Sequence, residues 1–272
     1  MDISGTSAVV TGAAGGIGAA LAQRLLEGGA AVTITDLDAS RLEASAQRLR
    51  DLGHERVIAV AGDASSEDDI AASIAAAEEA HGPVDIYAAN AGVGDGSGLS
   101  ATEAQWDLAL DVNVRAHVRA ARQLVPGWVE RGQGCFVSTA SAAGLLTQLG
   151  SATYSVSKHG AVAFAEWLAI TYGDQGVHVS CLCPMGVDTE MLRTGMSPDA
   201  GDGGALAAAA VTGAGDVLDP LVVADAVVAA LADETFFVLP HAEVAEYQRR
   251  KVDDHDRWIR GMQRYNRTLE GR

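Results

Sequence analysis

A chain of 272 residues with 48% hydrophobic side chains can bury a sizeable core, and its 6 prolines mark no linker that would divide it. The net charge of −17, from 36 acidic and 19 basic residues, argues against nucleic-acid binding, which needs a positive footprint. No apolar run reaches membrane-spanning length, and the opening MDISGTSAVVTG lacks a basic stretch before its apolar run, so neither an anchor nor a secretory leader is expected.

Apolar and helical patterns alternate from the start. SAVVTG reads as a strand, GIGAALAQRLLEGGA as a helix stopped by Gly28-Gly29, AAVTITD as a second strand and LDASRLEASAQRLRDLG as its helix. RVIAVAGDA is a third strand, followed by an alanine-rich helix with Ser66 and Asp69 as a variant capping box. After the strand VDIYAANAG, Ser100 and Glu103 form a capping box for a long helix through Asn113 to about Glu130, kinked or ended by Pro126. GCFVSTAS, the helix SATYSVSKHGAVAFAEWLAITYG, VHVSCLCP, the helix DPLVVADAVVAALAD and TFFVLP complete the series. Short apolar strands alternating with helices predict an α/β fold: a doubly wound, Rossmann-type parallel sheet of about seven strands, helices on both faces. Residues 1–240 form this domain and 241–272 a helical extension. Cys135, Cys181 and Cys183 are too few for a disulfide framework, lack partners at ligand spacing, and suit reduced structural thiols in a cytoplasmic protein; no metal site is expected.

The first strand runs into TGAAGGIG, so Gly12, Gly16, Ile17 and Gly18 stand at a strand-to-helix turn. Glycines there let backbone N–H groups approach a pyrophosphate at the helix N-terminus. The second strand ends in Asp36, whose carboxylate can accept from both hydroxyls of an adenosine ribose and would repel a 2′-phosphate. Leu37 follows, and the loop holds no lysine or arginine to neutralise such a phosphate, so NAD is expected over NADP. Asp36 could also N-cap the next helix.

Lys158 and Lys251 are the only lysines in the chain. Lys158 stands four residues after Tyr154 on a predicted helix, so the two share one face. A phenol titrates at about 10, and a nearby ammonium would stabilise the phenolate and lower that value. Arginine's planar fork would not substitute simply for so compact a charge.

At this point the chain resembles the classical short-chain dehydrogenase/reductase family, from about Thr6 to Pro240. The resemblance rests on Thr11-Gly12-x-x-x-Gly16-x-Gly18, Asn90-Ala91-Gly92, Asn113, Ser141 and Tyr154-x-x-x-Lys158. It implies that Asp63, with Ala64 beside it, contacts adenine, and that Pro184, Gly186, Val187 and Thr189 hold the nicotinamide. It implies further that Tyr154 transfers a proton, Ser141 bonds the substrate oxygen, Lys158 tunes the phenol and holds a ribose, and Asn113 positions a water. Taken singly, Ser138 and Ser141 could be strand-end caps and Asn113 a helix-kink residue. One departure stands out: Met185 occupies a position where the family usually has glycine.

Residues 189–215 lie where the family carries a substrate lid, and Met191, Leu192, Met196 and Leu206 there, with Leu145, Leu146 and Leu149, suit an apolar secondary alcohol or ketone. In the tail, Val244, Tyr247, Lys251, His255, Trp258, Met262, Tyr265 and Leu269 follow helical spacing. Such a stripe needs a cover, and a second subunit is expected to supply it, close to the active-site mouth. The resemblance implies a homotetramer, with a dimer as the alternative. Two rival functions share these features: a non-catalytic NAD-binding regulator, which would be expected to lose Tyr154 or Lys158, and a dehydratase or epimerase of the same superfamily.

Overall fold

Strands and helices alternate as the sequence pattern dictates. The computed structural model describes residues 1–195 and 203–272, so Met196 of the expected lid lies outside the described residues. In chain order it comprises β1 (Ser7–Thr11), α1 (Gly16–Glu27), β2 (Ala31–Asp36), α2 (Ala39–Asp51), β3 (Val57–Ala61), α3 (Glu67–His81) and β4 (Ile86–Ala89). Then come α4 (Glu103–Leu110), a π-helical turn (Asp111–Arg115), α5 (Ala116–Arg131), β5 (Gly134–Thr139), α6 (Ala143–Leu146), α7 (Ala152–Tyr172) and β6 (Val177–Leu182). The last part holds α8 (Glu190–Gly195), α9 (Gly204–Thr212), α10 (Pro220–Asp233), β7 (Phe237–Val238), α11 (Ala242–Asp253) and α12 (His255–Leu269).

The seven strands form one sheet in the order β3-β2-β1-β4-β5-β6-β7, every pair parallel. Strand alternation sends Val10, Val32 and Ile34 to one face, against Leu21 and Leu25 of α1 and Val223 and Val227 of α10. Val9, Tyr87 and Phe136 face the other way, onto Ile70 of α3, Leu124 and Trp128 of α5 and Leu168 of α7. Trp128 is 1% exposed and its indole N–H donates to the Val84 carbonyl at 2.7 Å, so truncation to alanine would cost roughly 3–5 kcal/mol. The chain order reverses between β1 and β4, and the crevice beyond their C-terminal ends is the switch point where such sheets bind ligands.

Four local expectations are corrected. The capping box before α4 is Thr102–Gln105, not Ser100–Glu103; Gln105 also donates to Ser97 Oγ at 2.8 Å, which ties that register to the preceding loop. Ser66 does cap α3, but the Asp69 carboxylate accepts from the Asp63 N–H at 2.8 Å instead of closing a reciprocal box. Asp38, not Asp36, caps α2 through the Arg41 N–H. The long helix is broken by the π-turn around Asn113, whereas Pro126 lies inside α5 without ending it.

The tail also differs from expectation. α11 and α12, separated by a break at Asp254, fold back onto their own chain. Val244 is fully buried, Tyr247 and Trp258 pack on the second core cluster, and Lys251 Nζ donates to the Leu145 carbonyl at 2.6 Å. The Tyr247 hydroxyl donates to Ala214 O and that of Tyr265 to Ala210 O, at 3.3 and 3.1 Å. α6 and the segment between β6 and α10 thus supply part of the cover expected from a second subunit, while Ile259 of α12 is 45% exposed. Among the described residues, no helix is long and apolar enough to cross a membrane.

Candidate active site

A cavity of about 1000 Å³ runs along the C-terminal ends of the strands, from the turn after β1 to the tail helices. Its walls bring together Gly12, Gly16, Ile17, Asp36, Asn90, Ala91, Gly92, Ser141, Tyr154, Lys158, Pro184, Val187 and Thr189, groups drawn from six separate stretches of sequence. Leu37, Gly18, Asp63, Ala64, Asn113 and Gly186 do not line it. Leu37 points outward, 77% exposed, and the Asp63 carboxylate accepts from the backbone and hydroxyl of Ser65 at 2.8 and 2.7 Å.

At the switch point the Thr11 hydroxyl accepts from the N–H groups of Asn90 and Ala91, both at 2.9 Å, and Asn90 Nδ2 returns a bond to the Thr11 carbonyl. These bonds draw the β4 end against the β1 turn so closely that a Cβ on Gly12 (φ +66°) would stand 2.8 Å from Ala91 Cα. Asp36 accepts from the Ala14 N–H at 3.0 Å and faces the same cavity. Arg41, in the first turn of α2, also lines it and forms an ion pair with Glu190 at the start of α8. Sequence reasoning missed Arg41 because it looked for basic residues only within the glycine loop.

The π-turn directs Asn113 inward, where it is fully buried. Its Oδ1 accepts from Val93 N–H while Nδ2 donates to Val93 O and Ser157 Oγ, all at 2.9 Å. Asn113 therefore clamps the chain after β4 to α7, and both of its side-chain N–H groups are used in doing so. Between the two, a Cβ on Gly92 would stand 3.2 Å from both Asn113 Oδ1 and Lys158 Nζ.

Ser151 caps α7 through the Tyr154 N–H, so the helix starts just before the Tyr-x-x-x-Lys pair. Lys158 is 2% exposed; its ammonium donates to the Thr139 carbonyl at 2.9 Å and lies 5.6 Å from the Tyr154 ring centroid. Burial pushes the Lys158 ammonium down to about 8. Burial also raises the Tyr154 phenol above its ordinary value, opposed by the neighbouring Ser141 hydroxyl. The phenol is thus shifted opposite to the lowering expected from the ammonium, with burial as the largest cause. Ser141 Oγ accepts from Ala143 N–H at 3.1 Å, which holds it at the mouth of α6.

Met185, the departure from family pattern, is fixed by a residue that the sequence gave no reason to single out. The Met185 N–H donates to His241 Nδ1 at 3.2 Å, so Nε2 carries the proton and donates to Gly186 O at 3.0 Å. His241 thereby ties the stretch after β6 to the first residue of the tail. Met185, Leu146, Leu149, Val211, Trp258 and Met262 form the apolar end of the cavity.

Comparison with known proteins adds four findings. The chain matches the short chain dehydrogenase family over residues 6–199. It is 33% identical over 262 residues to 1-deoxy-11-beta-hydroxypentalenate dehydrogenase of Streptomyces exfoliatus, covering 93% of this chain and 90% of that one. Cis-4-hydroxycyclohexanecarboxylate dehydrogenase of Sinomonas cyclohexanicum is 34% identical over 187 residues, 68% and 74% of the two chains. A short chain dehydrogenase/reductase from Burkholderia phymatum, solved in complex with NAD, superposes with a TM-score of 0.84 at 30% identity, covering 94% of this chain and 96% of the other.

Proposed function

The chain belongs to the short-chain dehydrogenase family, and from that premise we propose that it interconverts a hydrophobic, ring-bearing secondary alcohol and its ketone with NAD as cofactor. The observation that carries this reading is the single cavity that joins the glycine turn and Asp36 to Tyr154, Ser141 and Lys158 and continues into an apolar end. Relatives named as dehydrogenases of a hydroxypentalenate and a hydroxycyclohexanecarboxylate support the substrate class.

The residues present fit a dinucleotide. Gly12 lets the β1 turn lie against Ala91 where a side chain would clash, and the N-terminus of α1 offers N–H groups and a positive dipole end to a pyrophosphate. Asp36 would hold the adenosine ribose, Asn90 to Gly92 the floor, and Val187 and Thr189 the nicotinamide end. When bound, the cofactor supplies or accepts the hydride. Gly18, Leu37, Asp63, Ala64 and Gly186 then act by shaping these segments.

Tyr154 is protonated at neutral pH, which suits it to donate a proton to a ketone oxygen. In the opposite direction it must give up that proton before it can take one from an alcohol, and the Lys158 ammonium supplies the charge that makes the phenolate accessible. Ser141 offers its hydroxyl to the oxygen on which charge develops. Asn113 serves as a positioning residue for Gly92 and Lys158. For assembly we propose a homotetramer that leaves the tail on its own chain.

A panel of cyclic secondary alcohols, assayed with NAD and with NADP by the absorbance of reduced cofactor, tests this reading. Turnover is expected with NAD, and Tyr154→Phe should lower it by on the order of a hundred- to ten-thousand-fold with NADH affinity kept. Near-normal turnover in that variant sinks the mechanism.

A further inference from the structure

Resting on the dehydrogenase reading, we infer that the substrate carries an anionic group, a carboxylate in its simplest form, which Arg250 of the tail receives at the rim of the cavity. The polar side chains at the apolar end differ in whether their donors are spent. The Tyr247 and Tyr265 hydroxyl protons are committed to Ala214 O and Ala210 O. The Gln148 amide donates to Leu149 O and Ala207 O, at 3.2 and 3.1 Å. Arg250 alone among these has unused donors: its Nε bonds Glu246 Oε1 at 2.7 Å, and its two terminal nitrogens have no partner among the described residues.

The guanidinium side chain is 60% exposed at the rim and rests against an aromatic pair. It lies 5.9 Å from the Tyr247 ring centroid, and Tyr247 in turn packs on Trp258 with centroids 6.3 Å apart. Glu246, its carboxylate partner among the described residues, also pairs with Arg249, whose other partner is Asp253. Lys251 adds a third positive group on the same helix, with its Nζ on Leu145 O. Of these groups Arg250 lines the cavity, in a chain whose net charge of −17 would otherwise repel an anion. A planar fork with two free N–H edges matches a carboxylate in bidentate fashion. The opposite end of the cavity has its own cation, Arg41, but Glu190 engages it.

The test is a binding measurement, which needs no turnover and so stands apart from the dehydrogenase reading. Cyclohexanecarboxylate and its neutral isostere cyclohexanecarboxamide are titrated calorimetrically into the NADH-loaded protein, in the wild type and in Arg250→Met and Arg250→Lys. The wild type should favour the acid by about tenfold or more, the preference should shrink as salt rises, and it should fall to about one in Arg250→Met and persist in part in Arg250→Lys. Equal affinity for acid and amide in the wild type, including no measurable binding of the acid, overturns the inference; so does an undiminished preference in Arg250→Met. If Arg250→Met fails to bind NADH and is therefore misfolded, the wild-type preference and its salt dependence decide. Loss of turnover in Tyr154→Phe with the acid preference intact would uphold both readings, and turnover without that preference would overturn this one alone.

Discussion

The Lys158 ammonium stands 5.6 Å from the centre of the Tyr154 ring and is anchored at 2.9 Å to the Thr139 carbonyl. The end of β5 thus aims the charge that α7 carries, and the ammonium is withdrawn from water while the half-buried ring faces the cavity. Two consequences can be measured. Lys158→Met should lower kcat/KM by on the order of a hundredfold or more, since the phenolate loses its nearby charge. Lys158→Arg should fail to restore it, because a planar guanidinium fork does not reproduce the compact charge held at the Thr139 carbonyl. Steady-state kinetics with the best alcohol of the panel, beside an NADH fluorescence titration, reads both; an active arginine variant would contradict the geometry.

Cofactor choice rests on more than Asp36. Arg41 faces the same cavity but is held by Glu190. Glu190→Gln should release that guanidinium and weaken the preference for NAD, and Asp36→Ala combined with Glu190→Gln should shift it further, toward NADP by about tenfold or more. Titration with NADH and NADPH checks this, and equal affinity for the two in the unaltered protein would refute the proposed preference outright.

Much of this arrangement was legible in the amino-acid sequence. Strands with β-branched runs, helices stopped at glycine, and residues at short fixed spacings such as Gly12 to Gly18 or Tyr154 to Lys158 depend on local geometry that spacing encodes. What escaped depends on who meets whom across the fold. Thr102–Gln105 and Ser100–Glu103 are overlapping capping patterns, and the contact to Ser97 selects between them. The pairing of Arg41 with Glu190, or His241 with Met185, joins positions 149 and 56 residues apart. The tail's apolar stripe was visible, but not the carbonyls of Ala210 and Ala214 that receive its tyrosines. The phenol's shift depends on burial, which no local pattern reports.

Trp258 offers a test of the tail as an own-chain wall. Trp258→Ala should raise KM for a ring-bearing alcohol by about tenfold, through lost apolar contact, with little change in NADH affinity. Light scattering on the same variant should give an unchanged assembly, since the side chain faces the cavity and the second core cluster. A change of assembly with unchanged KM would return the tail to a subunit interface.

His117 predicts an acid sensitivity. It is 1% exposed, its Nδ1 meets Ser138 Oγ at 3.0 Å, and its Nε2 is buried without a partner among the described residues. Burial pushes it down to about 3, so the folded chain keeps it neutral where the unfolded chain, with its ordinary value of about 6.5, takes a proton. Stability is therefore fully present above about 6.5 and is lost as pH falls toward 3, at up to about 1.4 kcal/mol per pH unit. Carboxylates such as Glu27 and Asp111, held below their usual range, push in the same direction. The comparison is therefore urea unfolding of wild type against His117→Gln from pH 7 to 4. The variant should lose less stability over that range, and parallel curves would show that the ring's titration is not involved.

The two ends of the cavity are built from different portions of the chain. The glycine turn, Asp36 and the Asn90 to Gly92 floor come from the first ninety-two residues, whereas Tyr247, Trp258, Met262 and Tyr265 come from the last thirty-two. In a chain made from its N-terminus, β1 to β4 can pair while the tail is still untranslated. The adenosine end can thus form while the tail's wall of the substrate end has yet to be made, and Val187 and Thr189, which follow β6, join the two.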